Sequence, residues 1–178
     1  LGGSTVMVTD ADVPTGQVTT WTNDNTYVLD GFVFVDDGSE LIIEPGTVIK
    51  GKPGQGESAS ALIVARGGKI NANGTPTNPI IFTAEADDVN DTEDLPLDAS
   101  GLWGGVIILG KASLNSSPGE SAIEGIPTTE PRGLYGGNDD ADNSGTFRYV
   151  SIRYGGTDIG AGNEINGLTM GGVGTVSY

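Results

Sequence analysis

The stretch Asp140-Ala141-Asp142-Asn143-Ser144-Gly145 sets oxygen-bearing side chains at alternate positions ahead of a glycine. Oxygens in that pattern can converge on one hard cation while the glycine makes the bend, as in the first half of a calcium loop. Asn138 and Asp139 could extend the ligand set. The second half of the pattern is missing, because Ser151 stands where the closing bidentate glutamate belongs. Two expectations follow: calcium held by Asn138, Asp139, Asp140, Asp142 and Ser144, or an Asx-rich turn before a strand, which needs no ion. A less patterned acidic stretch, residues 85–100, carries Glu85, Asp87, Asp88, Asp91, Glu93, Asp94 and Asp98 and reads as a solvated insertion.

Other chemistry is sparse. Cysteine and histidine are absent, so disulfides, thiol catalysis and His-based zinc or acid–base sites are excluded. Glycoside hydrolysis needs two carboxylates facing each other across a bond. Glu40, Glu44, Glu124 and Glu164 are candidates, but their spacing pairs none of them, and solvated strand-edge positions account for them. The arginines are Arg66, Arg132, Arg148 and Arg153. Arg148 and Arg153 differ by five, which on one strand puts them on opposite faces. No catalytic residue is assigned. Trp21 and Trp103 could stack on sugar rings; the competing reading packs Trp103 at a corner beside Gly104-Gly105 and sets Trp21 over the N-terminal end. Neither Gly104-Gly105 nor Gly171-Gly172 has the helix or the Lys-Ser/Thr of a phosphate loop.

The net charge is −16, from 8 basic and 24 acidic residues. That argues against nucleic acid, whose binding needs Lys and Arg to replace counterions, and equally against anionic lipid. Solubility accounts for the charge, with acidic loops holding divalent cations as the sharper alternative. No apolar run approaches the ~20 residues of a membrane span, so direct insertion is not expected.

These side chains must be positioned by short strands. Val, Ile and Leu clusters are brief and bounded by Gly, Pro, Asn and Asp, and glycine reaches 30 residues. The fold class is therefore all-β. Gly145-Thr146-Phe147-Arg148-Tyr149 returns 29 residues later as Gly174-Thr175-Val176-Ser177-Tyr178. Leu41 to Leu62 and Val48 to Ile70 give looser spacings of 21 and 22 residues. Repeats of this length, interrupted by insertions of unequal size, favour a parallel β-helix (β-solenoid) with lateral loops over a sandwich. About seven coils would make a rod about 35 Å long. Residues 1–26 read as an N-terminal strand or cap segment. Residues 27–178 read as the solenoid, with residues 146–154 one strand and the last coil begun but incomplete.

Four cassettes carry a resemblance: residues 41–51, residues 102–112, Ile123-Glu124-Gly125-Ile126 and residues 148–156. They are similar to those of secreted right-handed parallel β-helix proteins of Bacteroidota and related bacteria. The resemblance implies a right-handed β-helix and an extracellular or cell-surface location.

Two functions fit. The first is an extracellular structural or adhesive module that self-assembles end to end into a fibre. There Thr175, Val176, Ser177 and Tyr178 would add onto Thr5, Val6, Met7 and Val8 of another copy. The second is a polysaccharide-binding or lyase-like β-helix. Parallel β-helices that cleave acidic polysaccharides use carboxylates, calcium and an Arg or Lys base. The expected partners are accordingly further copies of the chain or surface glycans. The missing histidine and scarce basic residues weigh toward the first.

Overall fold

β-Branched runs of four or five residues, each closed by a turn-forming residue, make short strands that turn at their ends and pair with the equivalent strands of the next rung. The computed structural model describes residues 3–160, 163–164 and 166–177. The first rung holds β1 (Ser4–Val8) and β2 (Val18–Trp21); the second holds β3 (Asn25–Leu29), β4 (Phe32–Val35) and β5 (Glu40–Ile43). The third holds β6 (Val48–Gly51), β7 (Ala61–Val64) and β8 (Lys69–Asn73). In the fourth, β9 (Ile80–Ala84) and β10 (Gly105–Leu109) are followed by an antiparallel pair, β11 (Glu120–Ala122) and β12 (Leu134–Gly136), before β13 (Asn143–Arg148). The fifth holds β14 (Val150–Ile152), a small antiparallel pair β15 (Asp158–Gly160) and β16 (Asn163–Glu164), then β17 (Leu168–Gly171) and β18 (Thr175–Ser177).

Three parallel sheets result, ordered β1-β3-β6-β9-β14 (the first sheet), β4-β7-β10-β17 (the second) and β2-β5-β8-β13-β18 (the third). The chain is a right-handed parallel β-helix. Its described residues make five rungs, not the seven expected. Much of the length leaves the stack as lateral loops, chiefly residues 85–104 and 110–142.

The spacing argument also needs correction. Leu41 pairs with Ile70, not with Leu62, which lies in the second sheet; Val48 pairs with Thr26 and Ile81. The resemblance of residues 145–149 to 174–178 is real stacking, since β13 and β18 are neighbours. Their register is slipped, with Asn143 beside Thr175 and Thr146 beside Ser177. Residues 146–154 are two strands, not one. Tyr149 adopts φ 47 and turns the chain from the third sheet into the first. An L-residue there costs roughly 1–2 kcal/mol, and the ladders on either side hold it.

Inside the helix, alternate side chains close a continuous core that includes Leu29, Leu41, Ile49, Leu62, Ile70, Phe82, Trp103 and Val106, all fully buried. Trp103 lies parallel to Phe82, with centroids 6.4 Å apart, and Trp21 stacks on Tyr27 at 5.0 Å. Neither tryptophan is available to a sugar: Trp103 is 0% and Trp21 3% exposed. The stacking role is thereby overturned, because a sugar needs an open ring face.

A second cluster lies outside the second sheet. The outward residues Phe34, Ala61, Ile63, Ile107 and Leu109 are covered by Ala59, Ile126 and Ile159 from the lateral loops. Arg132 anchors this cover to the first rung. It donates to Glu130 and Asp10, each at 2.8 Å, and to Asp36 at 3.4 Å, and its guanidinium sits 3.9 Å over the Phe34 ring. Asp10 also accepts from the backbone N–H of Phe34 and so occupies one donor on the edge strand β4. The side-chain bond from Arg132 holds the Glu130 carboxyl below the usual glutamate range. A carboxyl lowered on folding stabilises the fold above its unfolded value, about 4.3 for glutamate, and loses that contribution as pH falls through the folded value. The melting temperature is therefore expected to drop on acidification from about pH 5 to pH 3. Arg132→Met should lose part of that dependence, as read by thermal melts across the range.

Candidate functional site

On the outer face of the first sheet, the strands bring scattered polar residues into one column. Ile49, Phe82 and Ile152 point inward, so Lys50, Thr83 and Arg153 point outward. Lys50 is in register with Thr83, and the backbone N–H of Arg153 bonds to the carbonyl of Phe82. Asp87 folds back onto this column from the acidic insertion and is only 3% exposed. Its carboxylate accepts from the fully buried Thr83 hydroxyl and lies 3.9 Å from the Arg153 guanidinium, while the Lys50 ammonium donates to its carbonyl at 2.5 Å.

Beyond Asp87 the insertion is organised by its own carboxylates. Asp88 accepts from the backbone and side chain of Asn90, Asp91 accepts from the N–H of Glu93, and Asp94 accepts from the N–H of Asp88. The Asn90 bonds, backbone first, hold Asp88 below the usual aspartate range. These turns raise a wall opposite the end of β14. Between them lies a cleft of about 480 Å³ whose lining includes Asp87, Asp91, Thr92, Leu97, Arg153 and Tyr154. Tyr154 adopts φ 56, a conformation uncommon outside glycine. The buried Trp103 indole donates to the Arg153 carbonyl at 2.7 Å and so fixes the Arg153-Tyr154 segment from behind.

Chemically, the cleft offers one guanidinium fork flanked by carboxylate acceptors. Arg153 Nε donates to the Ser151 hydroxyl. Its two terminal nitrogens keep four further N–H donors in fixed geometry, suited to a carboxylate or a pair of neighbouring hydroxyls.

The residues expected from sequence are placed differently. In the loop after β12, Asp142 accepts from the N–H of Lys111 and Asp140 from that of Ser113, each at 2.8 Å. Asp139 accepts from the N–H of Ala141, Ser144 is buried in β13 and Asn138 is exposed. Bonding to Ser113 holds Asp140 below its usual value. These bonds dock the loop onto the segment after β10. Among the described residues, no group of three or more Asp or Glu side chains is arranged to hold a metal. Thr5, Val6, Met7 and Val8 form β1 at the edge of the first sheet, whereas Thr175, Val176 and Ser177 form β18 at the edge of the third; Tyr178 lies outside the described residues. The two strands are thus in different sheets, and a coaxial continuation would set β18 against β2 and β14 against β1. Arg148 and Arg153 also separate by sheet, not by face, because the corner at Tyr149 divides them.

Sequence reasoning passed over Asp87 and Lys50. Nothing in residues 85–100 sets Asp87 apart from six other acids, and its only local signal is its place just past β9.

The architecture and the cleft together define a three-sheet parallel β-helix with an acid- and arginine-lined outer face. The chain belongs to the family of pectate-lyase-like β-helix domains, whose model matches residues 13–178. No curated protein and no solved structure matches it. No described helix is long and apolar enough to cross a membrane.

Proposed function

We propose that this chain binds a polysaccharide along the outer face of its first sheet, outside the cell, with the glycan seated in the cleft between the acidic insertion and Arg153-Tyr154. The observation that carries this reading is the juxtaposition of Asp87, Asp91 and Arg153 around one open cleft on a regular parallel ladder. Arg153 donates to sugar hydroxyls or a uronate carboxylate and the exposed Asp91 accepts from hydroxyls, while the buried Asp87 holds the wall in place. Membership of a pectate-lyase-like family supports the substrate class. The extracellular placement rests on the resemblance of the cassettes to secreted β-helix proteins. Calcium enters as a bridge between an acidic glycan and a chain of net charge −16, which would otherwise repel it. The scaffold and fibre readings draw on the stacked architecture alone.

The test is a binding panel of uronate and neutral glycans, with and without calcium, read by calorimetry and by release of unsaturated sugar ends. At least one glycan should bind, and Arg153→Ala should weaken it about tenfold or more, a loss of about 1.4 kcal/mol. Calcium-dependent binding of uronates alone would assign the bridge. Silence across the panel, or full affinity in the Arg153 variant, would overturn the assignment. Release of unsaturated ends would extend the function to cleavage.

A further inference from the structure

A second cleft opens on a different side of the molecule, over the second sheet. Three lateral segments build it: the loop at Gly56-Glu57, the turn from Ala122 to Thr128, and Ile159 of β15. Its volume is about 490 Å³, within the range of small-ligand sites. The walls are apolar, formed by Ala122, Ile123, Ile126, Pro127 and Ile159. Gly125 at φ 87 bends the turn so that Ile159 packs against its backbone; a Cβ there would lie 2.0 Å from the Ile159 side chain.

Among the described residues, two charged groups line this cleft, and both are negative. Glu57 and Glu124 are exposed, and among the described residues neither has a hydrogen-bond or ion-pair partner. This contrasts with the first cleft, where Asp87 and Arg153 face each other. No Lys or Arg is among the described lining residues. The field of a chain carrying −16 concentrates cations, and a carboxylate forms charge-assisted hydrogen bonds with ammonium or guanidinium donors. An apolar body fills the walls and removes them from water.

We propose that this cleft is a binding site for an organic cation, namely a primary ammonium or guanidinium on an apolar body, held by Glu57 and Glu124. The source is either a free amine or a basic side chain flanked by apolar residues in a peptide. The site is separate from the glycan cleft and does not depend on it.

The experiment uses the full chain with isotope-labelled isoleucine methyl groups, titrated with three probes. These are phenethylamine, its neutral analogue 2-phenylethanol, and an end-capped leucyl-lysyl-leucine. The two cations should move the methyl signals of Ile123, Ile126 and Ile159, and phenethylamine should bind about tenfold more tightly than the alcohol. Glu57→Gln with Glu124→Gln should abolish that preference and leave the weak binding of the alcohol unchanged. Both glutamates are exposed, so the pair of substitutions leaves the core intact. Tighter binding of the tripeptide than of the amine assigns the source to a protein segment, and the reverse order to a free amine. Equal binding of amine and alcohol, responses centred on other residues, or a preference that survives the double substitution would overturn the proposal.

Discussion

Trp103→Ala is expected to lower the stability of the fold by about 3–5 kcal/mol, the largest effect of any single truncation considered. The indole is 0% exposed and occupies space that three rungs leave for it. Gly51 on β6 lies directly beneath it, where a Cβ would come within 2.4 Å of the ring. Phe82 on β9 is parallel to it, at an interplanar angle of 4°. Neither neighbour can collapse far into the vacated volume, because each is held in a parallel ladder on both sides. The substitution also removes the donor to the Arg153 carbonyl, so the Arg153-Tyr154 wall of the cleft proposed for a glycan should loosen. Denaturant unfolding measures the first effect and glycan affinity the second. Gly51→Val is the reciprocal test, since it overpacks the same contact, with a cost of about 1–3 kcal/mol. A change of under about 1 kcal/mol in the Trp103 variant would contradict the packing described.

Asp87→Ala should cost about 1–3 kcal/mol and release the acidic insertion from the sheet. Its carboxylate accepts from Thr83, whose hydroxyl is fully buried and would be left without this partner. Arg153 would lose its acidic neighbour, although that guanidinium is 39% exposed and water limits the loss. The Lys50 bond runs to the Asp87 backbone, so it survives only if the segment stays in place. Proteolysis should therefore nick residues 88–99 faster in the variant than in the parent chain. Thr83→Val combined with Asp87→Ala should cost less than the two separate effects added together, because each removes what the other leaves unpaired. Strict additivity would mean that the Thr83–Asp87 bond does not hold the insertion.

Much of the fold was legible in the chain, for local reasons. Tyr27-Val28-Leu29, Asp30-Gly31 and Phe32-Val33-Phe34-Val35 read as strand, corner and strand, as found in β3 and β4. Pro45-Gly46 marks the bend before β6, with Gly46 at φ 81. The likeness of residues 145–149 to 174–178 correctly pointed to neighbouring strands. The rung count failed because residues in side loops contribute length but no rungs, and the register failed because β-branched residues look alike in every sheet. Tyr149 was read as strand because nothing local demands a left-handed tyrosine; two ladders meeting at a corner impose it.

The site was less legible for the same reason. Lys50, Thr83 and Arg153 are separated by tens of residues and meet only because parallel stacking superposes successive rungs. Asp87 was one acid among many, and burial against Thr83 distinguishes it. Conversely, Asp140 and Asp142 had the most suggestive spacing, yet their oxygens bond to the N–H groups of Ser113 and Lys111. The tryptophans offered a surface reading that the core reverses. Sequence alone determined the strand class, the parallel stacking and the absence of thiol and histidine chemistry from this chain, because these depend on composition and on neighbours along the chain. Tertiary structure decided which carboxylates are bonded and which face a cleft, because exposure and pairing are set by residues from other rungs.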